Sequence, residues 1–127
     1  MLISGWILVI AAYGAVWQAC RISGIAPWWL GPQTNLRSYF IVMVPFYGPA
    51  LAAIAAITNQ RFACSVGLVA GAGGAAIALG DVRHYPGLAL VELAIGVCGL
   101  AISGAAFAGR YRLADAVTDS EPSPVVE

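Results

Sequence analysis

Glu92 is the one carboxylate that this 127-residue chain places inside a long apolar run. A charge taken out of water into hydrocarbon is costly, so an acid there must be neutralised, coordinated or paired. Three chemistries follow. Glu92 could carry a proton, bind a cation, or pair with an arginine, of which Arg83 is the nearest in sequence. A structural outcome is open beside them, in which the acid hydrogen-bonds a carbonyl. Glu92 and Arg83 are thus the candidate intramembrane polar site.

A second candidate is Val44-Pro45-Phe46-Tyr47-Gly48-Pro49. A proline has no N–H, so in a helix the carbonyls of Ile41 and Pro45 lose their usual donors. Transporters use such breaks to offer backbone groups to a solute. More commonly a kink only shapes packing around a neighbour. Pro45 and Pro49 are marked as a helix break on either reading.

Other chemistries lack their residues. Ser4, Ser23, Ser38, Ser65 and Ser103 have no nucleophile-elbow context and share one histidine, His84. Cys20, Cys64 and Cys98 form no C-x-x-C pair, and no tight four-ligand set exists for structural zinc. No catalytic residue, metal or cofactor is expected, and the chain reads as a non-enzyme. Net charge is zero, with six arginines and no lysine. That leaves no basic footprint for nucleic acid. Arginine in place of lysine, with the Ala and Gly load, suggests a GC-rich bacterial coding sequence.

The elements that must position these residues are set by composition. Hydrophobic types make up 61% of the chain and charged types 9%, with a mean hydropathy of +0.85. A soluble domain carries roughly a quarter charged residues, so much of this surface must face hydrocarbon. The expected fold is an all-α integral membrane protein, a four-transmembrane-helix bundle. Its spans are about 2–20, 38–58, 62–80 and 87–108, with the second kinked. Leu2–Cys20 reads as a retained span, because no cationic side chain precedes Arg21 as a signal peptide would need.

Between the first two spans, Pro27, Gly31 and Pro32 break regular structure. Trp28 and Trp29 there suit the headgroup level and are expected as interface anchors. Asn59-Gln60-Arg61 makes a tight connection, and residues 81–86 make the next, with Asp81 and Arg83 solvated. Gln18 is expected to donate a hydrogen bond between helices. Residues 1–112 form the membrane domain. Residues 113–127 hold Asp115, Asp119, Glu121 and Glu127 without a cation, plus Pro122 and Pro124. They are expected to be a disordered acidic tail.

Two rows of small residues are the clearest pattern. Gly67, Gly71, Gly74 and Ala78 recur at spacings of four, three and four. Glu92, Gly96, Gly99 and Ser103 repeat that rhythm. Each row is one helical face, and small residues let backbones approach closely in lipid. A short connection makes the two helices antiparallel neighbours, so these faces are expected to meet.

With four spans, Arg61, Arg110 and Arg112 lie on the side of both termini, and Arg21, Arg37 and Arg83 on the other. The pair Arg110 and Arg112 beside the last span breaks the tie and favours both termini in the cytoplasm. In size the chain is similar to small multidrug transporters. Those carry an essential glutamate in the first span, where this chain has no acid, so their function does not transfer. The leading expectation is a non-catalytic accessory or structural subunit of a larger membrane assembly. Its partners would be the lipid bilayer and other membrane proteins or copies of itself. The alternative is a small oligomeric transporter or channel using Glu92 and the Pro45–Pro49 break.

Overall fold

The computed structural model describes residues 2–35, 37–58 and 60–119, with side chains at 60, 61 and 111–119 left aside. All regular structure among them is helical. The helices are α1 (Leu2–Ser23), α2 (Tyr39–Val42), α3 (Val44–Thr58), α4 (Gln60–Ile77) and α5 (Pro86–Asp119). A turn of 3-10 helix, Ala78–Gly80, extends α4.

Three helical stretches are long and apolar enough to cross a membrane: Leu2–Ser23, Phe62–Gly80 and Pro86–Arg110. α3 is apolar but has 15 residues, about 22 Å of helix. It is separated from α2 by Met43 alone. The Phe46 and Tyr47 amides both bond the Met43 carbonyl, at 2.9 and 3.2 Å. The break therefore falls just ahead of Pro45. A proline in the first turn of a helix costs no hydrogen bond, because its N–H would be unpaired anyway. Pro49 is accommodated inside α3.

α4 packs most extensively on α5, α3 packs on α4, and α1 packs on both α3 and α5. The buried residues of α1 are Trp6, Val9, Tyr13, Val16 and Cys20, spaced three, four, three and four like a helix seam. Trp6 and Tyr13 join Val9, Ala52 and Ala70 in one core cluster. The Tyr13 and Phe46 rings meet edge to face, with centroids 6.2 Å apart. Val16 and Cys20 join Trp29, Leu30 and Val42 in a second cluster.

Two expectations change here. The segment after α1 does not simply lie at a surface. Gly24 and Gly31 take positive φ values of 72° and 70°, which glycine adopts without steric cost. Between them the Leu30 and Gly31 amides close a turn on the Pro27 carbonyl, at 3.1 and 2.9 Å. This strap turns Trp29 and Leu30 into the core. At the other end, α5 runs on through residues 113–119, where a disordered tail was expected to begin. Leu113, Ala114 and Ala116 favour helix, and no Gly or Pro interrupts 110–119. Residues 120–127 of the expected tail lie outside the described residues.

Candidate functional site

The α4–α5 contact is built on backbone proximity. A methyl group on Gly71 would come 2.7 Å from the Leu100 amide nitrogen. One on Gly96 would overlap the backbone of Ala75 and lie 2.8 Å from the Gly74 carbonyl carbon. One on Gly99 would come 3.4 Å from Gly71 Cα and 3.0 Å from the Trp6 ring. Gly67 faces the Ser103 hydroxyl. The pairs Gly67–Ser103, Gly71–Gly99 and Gly74–Gly96 step in opposite directions along the two helices, as antiparallel neighbours must. Ala78 is buried in the closing turn, which packs on α5. Tyr13 adds a tie from α1 by donating its hydroxyl to the Gly74 carbonyl at 3.2 Å.

Glu92 is fully buried, two turns into α5. Its Oε1 accepts the Trp29 indole N–H at 2.8 Å. Arg83, the expected partner, is exposed, and no ion pair to Glu92 exists among the described residues. The reason is local. Pro86 opens α5 between the two, so Arg83 lies on the connection and not on the Glu92 face. Trp29, expected at the headgroups, is instead wholly buried because its indole supplies the donor that the acid needs. Trp28 is about one-third exposed. Its indole N–H donates to the Ile77 carbonyl at 3.0 Å and its ring covers Gly80.

Asp81 was expected in a solvated connector, and the structure buries it at 2% exposure. Its Oδ1 accepts the Trp28 backbone N–H at 3.1 Å. Burial raises the Asp81 carboxyl above its ordinary pKa, and the Trp28 N–H and His84 offset this only in part. The second oxygens of both acids, Asp81 Oδ2 and Glu92 Oε2, are buried with no hydrogen-bond partner among the described residues.

The remaining candidates disperse. Pro45 and Pro49 line an apolar cavity of about 460 Å³ between α3 and α4, with Gly48, Ala70 and Gly73. Glu92 is not among its lining residues, so the helix break and the acid do not form one site. Gln18 is exposed on α1. Cys20 and Cys64 are buried, Cys98 is exposed, and all three are free thiols.

Sequence reasoning missed Trp6, Tyr13 and Asp81. The first two were readable from the seam 6, 9, 13, 16 and 20. Asp81 carried no such signal, because its partner lies 53 residues away. No protein-family model, curated protein or solved structure matches the chain.

Proposed function

We propose that this is a small multi-pass protein of the bacterial cell membrane, acting as a non-catalytic accessory subunit of a larger membrane assembly. The observation that supports it is an inside-out distribution of side chains. Glu92, Asp81 and Ser103 are buried, while Leu8, Ile22, Phe40, Val69 and Leu90 are more than two-thirds exposed. In water that surface would aggregate, and in lipid it needs no cover.

On this reading α2, Met43 and α3 act together as a fourth crossing, because Tyr39 to Thr58 reaches about 30 Å at 1.5 Å per residue. Both termini then lie in the cytoplasm. Glu92 is engaged by Trp29 inside the protein, which suits a structural role for the acid. The apolar outer face is left for lipid and for neighbouring membrane proteins. The test is affinity purification of the tagged protein after mild detergent extraction, with mass spectrometry. A stoichiometric membrane partner is expected. A chain that purifies alone, in a native-membrane extract that keeps other assemblies intact, overturns the reading.

A second reading, a small oligomeric transporter or channel, is favoured by the unpartnered Oε2 of Glu92. Solute or proton uptake into proteoliposomes that is lost in Glu92→Gln would select it over the first.

A further inference from the structure

Asp81, in the connection before α5, and Glu92, in the second turn of α5, are both buried and both bonded by the strap of residues 24–35. The strap holds each by one oxygen. The Trp28 amide takes Asp81 Oδ1 and the Trp29 indole takes Glu92 Oε1. The other oxygen of each is enclosed and unpartnered. Trp28 and Trp29 are consecutive, so neighbouring residues of one strap hold the two acids, and buried Cys20 of α1 packs in the same core cluster as Trp29.

Among the described residues no cation forms an ion pair with either acid. From α1, Tyr13 commits its hydroxyl to the Gly74 carbonyl. Cys20 supplies a neutral thiol. From the connection, His84 is exposed and offsets the burial of Asp81 only in part, and Tyr85 is half-buried. The stem of Arg37 packs over Gly31, and Arg21 and Arg83 make no ion pair with either acid. At this end α3 carries Tyr47, which is exposed, and the described part of α4 carries no titratable side chain. Two carboxylates shut away from water beneath one strap, with no cation beside them, cannot both ionise cheaply. Among the described residues no third His, Cys, Asp or Glu is placed with them to complete a metal shell. The ligand that suits two enclosed, orphaned oxygens is therefore a proton.

We propose that Asp81 and Glu92 form a proton-binding latch, in which the pair holds one proton while Trp28 and Trp29 are docked, and loss of that proton frees the strap. The proton leaves to water. The second negative charge it uncovers gains no strap donor, because the Trp28 amide and the Trp29 indole N–H are already in use. That charge is satisfied only when water enters, and water enters when the strap lifts. Gly24, in a left-handed conformation with open space where a Cβ would stand, is the pivot on the α1 side. The latch goes beyond the accessory-subunit reading and needs no partner to operate.

The test uses the full-length protein in lipid nanodiscs. Infrared spectra in H₂O and D₂O report a protonated carboxyl through its C=O stretch, and iodide quenching reports exposure of the tryptophans. At pH 7 the wild type is expected to show a solvent-shielded carboxylic acid band. As pH rises the band should vanish, and quenching should increase with the same midpoint. Glu92→Gln should lack the band and show quenching that is low and independent of pH, because Gln still accepts from Trp29 without ionising. Asp81→Asn should shift or remove the step. Absence of the band in the wild type at pH 7 overturns the proposal. So does a band that titrates while quenching stays flat, or a step unchanged in both variants. If neither variant folds, the joint titration of the wild type still decides.

Discussion

The Trp29 indole nitrogen lies 2.8 Å from Oε1 of Glu92, across 63 residues of chain. It ties the strap after α1 to the second turn of α5 in a fully buried setting. Removing the donor alone leaves the acid uncompensated. Trp29→Phe should therefore cost about 1–3 kcal/mol beyond its small loss of packing. Glu92→Met alone leaves the indole N–H unpaired. The double variant removes both needs at once, so it should be less destabilised than the two singles added together, by about 0.5–3 kcal/mol. Thermal unfolding in detergent measures the cycle. Strict additivity would mean that the two side chains do not act as a unit.

The α4–α5 contact makes a sharper steric prediction. A methyl on Gly96 meets the backbone of Ala75, which no rotamer change relieves. A methyl on Gly104, in the same helix, meets nothing within 4 Å. Gly96→Ala should destabilise by about 1–3 kcal/mol. Gly104→Ala should be neutral or stabilising by up to about 1 kcal/mol, since alanine is the better helix former. Equal unfolding temperatures for the two variants would contradict the close approach.

These glycines were legible because helix periodicity is local. Gly67, Gly71 and Gly74 fall on one face whatever the rest of the chain does, and a short connection forces the next helix to lie beside it. The apolar runs were legible for the same reason. Trp29 and Asp81 were not. A Trp-Trp pair beside proline has the composition of a membrane interface, and an acid between Gly80 and Val82 has that of a solvated turn. What sends both inward is a pair of contacts spanning 53 and 63 residues. No window along the sequence contains both partners. The extension of α5 past Leu113 was missed on another ground. Acidic charge argued for disorder, while helix propensity carried the backbone on to Asp119.

Asp81 predicts a pH dependence of stability. Its carboxyl is raised from an ordinary value of 3.8, so the folded state binds its proton more tightly than the unfolded state does. That contribution is fully present below the ordinary value and is lost as pH rises through the raised one. The wild type should therefore lose stability relative to Asp81→Asn as pH increases above 3.8. Unfolding curves for both proteins at a series of pH values check this. A wild type that instead gains on the Asn variant with rising pH would reverse the assigned cause.

The number of crossings is decided by where three exposed positions lie. Ser23 ends α1, Thr58 ends α3, and His84 sits in the connection before α5. Consider single cysteines at each in sealed vesicles, with Cys20, Cys64 and Cys98 replaced by alanine. An impermeant maleimide added outside reaches only the positions on that face. If Tyr39 to Thr58 crosses as one broken span, Ser23→Cys and His84→Cys label from the same side and Thr58→Cys from the other. With both termini inside the cell, Thr58→Cys is the one protected in right-side-out vesicles. If that stretch turns back without crossing, Ser23→Cys and Thr58→Cys share a side, opposite His84→Cys. α3 alone, at about 22 Å, is too short for a hydrocarbon core of about 30 Å. The expected pattern therefore depends on the four residues of α2 continuing its path through Met43. A proline-interrupted helix can do that when its break costs no buried hydrogen bond, and Pro45 sits in the first turn of α3, where its missing N–H costs none.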